Sequence, residues 1–140
     1  MSILCNLNSA LQIKASESAA STNDINSLKE FSSIEVPIDY CEIVSEMTEV
    51  EVVIDSDRYF RVWSPDGCIE MNKEYQIQSY IPQSLAVGDD EGGSALILMT
   101  GKNGFGLYKV DFGDLDIEDA EYISDSLRSL LIDGIGIERI

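Results

Sequence analysis

The stretch from Ser84 to Gly113 constrains the fold of this chain more than any other. Three apolar runs, Leu85 to Val87, Ala95 to Met99 and Gly106 to Val110, are each about a strand in length. Between them lie Gly88-Asp89-Asp90-Glu91-Gly92-Gly93 and Gly101-Lys102-Asn103-Gly104. Glycine and aspartate suit turns because they tolerate unusual backbone angles and close short side-chain-to-backbone hydrogen bonds. Asn-Gly between apolar runs is among the strongest short-range hairpin signals. The spacing predicts an antiparallel three-stranded meander followed by a helix. Nothing in the stretch arranges residues for chemistry.

The flanking sequence predicts further elements. Ile3, Leu4, Leu7, Ala10 and Leu11 fall at helical spacing, with a lone β-strand as the competing reading. Ala15 to Asn23 is small and polar and reads as a linker, which makes residues 1–22 an appendage, docked loosely or used in self-association. A helix capped by Thr22 or Asn23 is expected to run to about Ser32 with Ile25, Leu28 and Phe31 on one side. Pro37 suits the first turn of a second helix, with Ile38, Cys41, Ile43, Val44 and Met47 facing inward.

From Glu49 to Ile54 the pattern alternates, Val50, Val52 and Ile54 against Glu49, Glu51 and Asp55, which is the pattern of a half-buried strand with an acidic outer face. Ser56 and Asp57 turn the chain into Tyr59-Phe60-Arg61-Val62-Trp63, a second strand, and Pro65-Asp66-Gly67 makes the next turn. Residues 69–78 fit a helix or a strand equally. Beyond Val110, the spacing of Ile117, Ala120, Ile123, Leu127, Leu130 and Leu131 predicts a helix with acids in its early turns, stopped by Gly134 and Gly136. The fold class expected is α+β: a single domain over residues 23–140, with an antiparallel sheet of five or six strands and helices mainly on one face. A chain of 140 residues is long enough to bury ~70% of its unfolded surface in one domain.

Charge narrows the function. Twenty-six acidic residues against nine basic ones give a net charge of −17, and there is no histidine. Such a surface repels nucleic acid and anionic membranes and attracts basic partners, although acidity also serves solubility alone. Without histidine there is no Ser-His or Cys-His pair, so no enzyme is expected. A carboxylate pair working as a small carbohydrate-active enzyme is the catalytic alternative. Cys5, Cys41 and Cys68 are too few and too irregularly spaced for a disulfide framework or a zinc site, and they read as reduced, mostly buried thiols. The N-terminal residues lack a basic region and an apolar core of signal-peptide type, and no run approaches the ~20 apolar residues of a membrane span. A cytoplasmic protein is expected.

Motifs that spell known chemistry fail on their context. Asp111-Phe112-Gly113 matches the magnesium-binding tripeptide of protein kinases, but the catalytic-loop sequence is missing. Asp114, Asp116 and Glu118 alternate as in a calcium loop, yet Asp119 stands where that loop needs glycine and Asp125 where it needs glutamate. The acids of the Gly88–Gly93 turn would repel phosphate rather than cradle it. No cofactor or metal is expected. Trp63, Tyr59 and Phe60 read as core and sheet-face aromatics, with Trp63 in the core.

Certain pieces together resemble the SUKH superfamily, which includes a yeast cell-wall regulator and many bacterial immunity proteins. They are Gly88-Asp89-Asp90 with Gly92-Gly93, Gly106-Leu107-Tyr108, and Ser126-Leu127 with Leu130-Leu131, behind two helices and a strand pair ending in Trp63. The resemblance runs from about Asn23 to Ile132. Glu46-Met47-Thr48-Glu49 replaces the Asn-Gly-Gly-like turn usual in members, and the first 22 residues have no counterpart. The resemblance implies an extended lead-in over Leu115–Ile123 and a last helix from about Ser124. It also implies an immunity-type protein that binds and neutralises a basic toxin domain, commonly a nuclease. A regulatory or scaffolding adaptor is the alternative. The acids expected to meet a partner are Glu49, Glu51, Asp55 and Asp57 on the first hairpin, Asp89, Asp90 and Glu91 in the meander turn, and Asp111, Asp114, Asp116 and Asp119 beyond it.

Overall fold

The computed structural model describes residues 2–55 and 57–140. Its spine is one antiparallel sheet of seven strands, in which each strand pairs with its neighbours in sequence. The strands are β1 (Leu11–Glu17), β2 (Thr48–Ile54), β3 (Arg58–Val62), β4 (Ser84–Asp89), β5 (Ser94–Gly101), β6 (Gly104–Asp111) and β7 (Glu121–Ser124). Helices α1 (Thr22–Phe31) and α2 (Ile38–Val44) fill the β1–β2 connection, and α3 (Pro65–Glu74) and α4 (Ile77–Tyr80) fill β3–β4. The α+β class is the one expected, with seven strands in place of five or six.

The meander forms as its spacing predicts. β4, β5 and β6 pair in register from Leu85↔Leu98 and Leu98↔Leu107 outward. Leu85 to Val87 and Ala95 to Met99 are buried without a break. Successive strand side chains point to opposite faces, so both faces of the sheet are covered there. In the β5–β6 turn Gly104 takes a positive φ of 85°, while Lys102 and Asn103 do not. Gly88 marks the tightest approach in the sheet: a Cβ there would lie 2.0 Å from the Arg61 carbonyl oxygen. β2 keeps its alternation, with Thr48, Val50, Val52 and Ile54 buried and Glu49, Glu51 and Val53 half-buried. Ser56, expected to turn β2 into β3, lies outside the described residues.

Several elements differ from the sequence reading. Residues 3–13 hold a 3-10 turn at Leu4–Asn6 and then β1, not a helix. β1 continues into the supposed linker, where Ala15 pairs with Glu51 and Glu17 with Thr48. Ile3, Leu4 and Leu11 are buried in the core, so this segment is no loose attachment. β1 has its partner on one side only and buries Leu11 alone, which erases the alternation that would reveal it. Ser21, one residue before the caps considered, heads α1 in a reciprocal capping box with Asp24. Pro37 is the residue before the first turn of α2, and Ile38 is 77% exposed instead of facing inward. The inner face of α2 is Tyr40, Ile43 and Val44.

Pro65-Asp66-Gly67 is not a free turn but the first turn of α3. Ser64 caps that turn by accepting the Gly67 N–H at 2.9 Å, and Pro65 sits where a missing N–H costs nothing. After β6 the continuous helix from Ile117 does not form. A 3-10 turn at Ile117–Asp119 leads into β7, the chain becomes helical at Leu127, and it ends at Gly134 with φ 72°. The chain thus follows the extended lead-in in part, broken by the 3-10 turn, and its last helix begins three residues after Ser124.

Candidate functional site

The acids expected to meet a partner fall into two groups once their contacts are known. The first group, Asp57 apart, is committed to the fold. Glu49 accepts the Ser64 N–H at 2.6 Å and so supports the start of α3 from across the sheet. Asp89 accepts the Trp63 indole N–H at 2.7 Å through one oxygen and the Glu91 N–H at 2.8 Å through the other. Asp90 accepts the N–H groups of Gly92 at 2.8 Å and Ser94 at 3.0 Å, closing the β4–β5 turn. Glu51 receives the Arg61 guanidinium at 2.8 Å, and the same guanidinium reaches Glu91 at 3.5 Å. That hydrogen bond holds the Glu51 carboxyl below the usual range, whereas partial burial and then the neighbouring Glu51 push Glu91 up. Asp55 pairs with Arg58 at 3.6 Å, and Asp57 is exposed.

The second group is Asp111, Asp114, Asp116 and Asp119, all exposed. Asp111 accepts the Gly113 N–H at 2.7 Å and Asp116 the Glu118 N–H at 3.0 Å, so each folds the loop with one oxygen and leaves the other outward. Asp114, Asp116 and Asp119 bring carboxylate oxygens within 4.8 Å of one another. The Asp114 carboxyl is pushed above its ordinary range, first by its hydrogen bond to Asp119 and then by the charge of that neighbour. Among the described residues no lysine or arginine forms an ion pair with these four. These three clustered carboxylates are also the set that approaches a cation-binding arrangement, and they are fully open to water.

Two members of this group, Asp114 and Asp116, line a groove of about 490 Å³. One wall comes from the α3–α4 junction, with Glu74, Tyr75 and Tyr80; the other is the Phe112–Asp116 turn after β6. α3 ends at Glu74 with Tyr75 as its cap, Gln76 adopts a left-handed φ of 51°, and α4 is a single turn. That sharp reversal turns the tyrosines outward: Tyr75 is 38% and Tyr80 59% exposed. Tyr75 also lies against Phe112, with ring centroids 4.3 Å apart, which joins the two walls. Tyr75, Tyr80 and Glu74 escaped the sequence reading. They lie in or beside the stretch that fits a helix and a strand equally, and two tyrosines in a mostly polar run were the signal it offered.

The buried groups are structural. Trp63 is 3% exposed, as expected. The Tyr40 hydroxyl donates to the Trp63 carbonyl at 2.8 Å and lies 3.3 Å from the Cys68 sulfur. Burial pushes the Cys68 thiol up to about 12, so it stays protonated and unreactive. Cys41 is half-buried, and Cys5 is exposed in contrast to the expectation for these thiols.

Among the described residues, no helix is long and apolar enough to cross a membrane. The sequence matches no family model and no curated protein.

Proposed function

We propose that this chain is a cytoplasmic immunity-type protein that neutralises a basic toxin domain by binding over its working surface. The observation that carries the reading is the groove at the α3–α4 junction. It sets exposed Tyr75 and Tyr80 beside acids that have no cation of their own among the described residues. Tyrosine supplies a rigid, amphipathic anchor of the kind that dominates binding energy, and unpaired carboxylates supply the charge that selects a basic partner. A nuclease site that must accept phosphate is basic, so a chain of net charge −17 is steered to it quickly. The SUKH resemblance supports the same class of function.

The test is binding to a toxin-like basic domain encoded beside this gene, followed as sodium chloride is raised. Affinity is expected to fall steeply with salt, and co-expression is expected to restore growth of cells carrying the toxin. Failure to bind at low salt overturns the proposal.

A further inference from the structure

We propose that the groove between α4 and the Phe112–Asp116 turn is a receptor for an arginine side chain of the partner. The guanidinium plane would lie against the exposed tyrosines and its N–H groups would meet Asp114 and Asp116. This deepens the preceding reading and rests on its first step, that the partner is a basic protein.

The chemistry of the walls selects this occupant. A cavity of about 490 Å³ is ample for one long side chain and the backbone that carries it. Its aromatic wall is Tyr75, steadied by Phe112, and Tyr80, among the described residues the most exposed large apolar side chain after Ile38. Its polar wall is carboxylate, with Glu74 at one end and Asp114 and Asp116 at the other. A guanidinium satisfies both walls at once, because it is planar, stacks on aromatic faces and donates to carboxylates in a fork. A lysine ammonium is more strongly hydrated and cannot stack, and a phosphate or an acidic lipid surface would be repelled.

Two further observations favour the same occupant. The crowding of Asp114 and Asp119, which raises the Asp114 carboxyl, is relieved by any cation that enters. The protein's own cations are a poor source. Of its four arginines, Arg58, Arg61 and Arg139 already pair with acids of the fold and Arg128 alone has no such pair among the described residues, which favours a separate partner over a second copy.

The test is an amide NMR titration of the full chain with a short peptide alternating glycine and arginine, against its lysine counterpart of equal charge. Saturable shifts are expected at Tyr75, Gln76, Tyr80 and Gly113 to Leu115, with the arginine peptide tighter by roughly fivefold. Tyr80→Ala and the Asp114→Asn, Asp116→Asn double variant should each weaken it by about tenfold, while Glu30→Gln on α1 should leave it unchanged. All of these positions are exposed, and the spectrum of each free variant reports whether it is folded. Equal affinity for the two peptides, shifts spread over the whole acidic surface, or no effect of Tyr80→Ala overturns the proposal. The two readings separate cleanly. A toxin bound by the native chain and equally well by Tyr80→Ala removes the groove and keeps the immunity function. An arginine peptide that behaves as expected beside a toxin that does not bind does the reverse.

Discussion

Tyr108 shows how much one hydroxyl can organise. It accepts the Asn103 N–H at 3.0 Å and donates to the Gly104 carbonyl at 2.7 Å, so it closes the β5–β6 turn from beneath. Its ring lies under Gly101, where a Cβ would come within 2.6 Å of the ring, and the residue is 1% exposed. Tyr108→Phe keeps the ring and leaves two main-chain groups without their partner. It should cost about 1–3 kcal/mol in urea unfolding with an unchanged denaturant slope; a variant as stable as the native protein would refute the clamp. The Asn103-Gly104 turn was legible because its chemistry is local. The hydroxyl that locks it was not, since a tyrosine in a strand reads only as a β-former. The acids illustrate the same limit. Composition reveals that they are many, but only their partners separate Glu49 and Asp89, which hold the fold, from Asp114 and Asp116, which face a groove.

Among the elements, α3 was the hardest to foresee, because the residues it buries most completely include a polar one. Asn72 is fully buried, and its amide nitrogen donates to the carbonyls of Cys68 at 2.7 Å and Ala86 at 2.8 Å. Its oxygen accepts the Ala86 N–H at 3.0 Å and the Gln78 amide at 2.9 Å. Asn72 thus stands in for a strand partner at Ala86, beside the register shift between Ala86 and Gly88, and ties α3 and α4 to β4. Asn72→Ala strands both main-chain groups of Ala86 and should destabilise the fold by about 3 kcal/mol, with faster hydrogen exchange at the Ala86 amide. Unchanged exchange there would show that the clamp is not needed. β2 and the meander, by contrast, were plain in the sequence, since burial on one face or on both leaves a period of two or a continuous apolar run. β1 was legible only as the alternative to a helix and β7 only within the extended lead-in that the resemblance implied, because an edge strand buries little and a four-residue strand carries no period. Their neighbours decide them: Leu11 meets Ile54 across the pair, and Tyr122 meets Tyr108. The groove inherits this illegibility, being built where α3 gives way to α4 and where β6 runs out.

At the scale of the whole molecule the net charge of −17 acts on the free protein and on its complex with opposite signs. Self-repulsion destabilises the free chain, and raising salt from about 0.01 M to about 0.15 M shortens the screening length from ~30 Å to ~8 Å. The melting temperature of the free protein should therefore rise, by about 4 °C if screening recovers ~1 kcal/mol. Affinity for a basic partner should fall over the same range. If acidity served solubility alone, the first effect would appear without the second. Acid adds an independent check. The Asp114 and Glu91 carboxyls have raised pKa values in the folded state, so their contribution to stability is full below the unfolded value and lost as pH rises through the folded one. Glu51 is lowered, so its contribution holds above the unfolded value and is lost only as pH falls through the folded one. Stability should thus increase as pH falls through the raised folded values of Asp114 and Glu91 toward the ordinary carboxylate range, and decline once the remaining carboxylates protonate below about 4. Asp114→Asn should flatten that acid-side rise, because it removes a group whose ionisation the fold resists. The thermal midpoint of that variant, followed against pH beside the native chain, decides the matter: two parallel curves would mean that the Asp114 cluster carries none of the strain assigned to it.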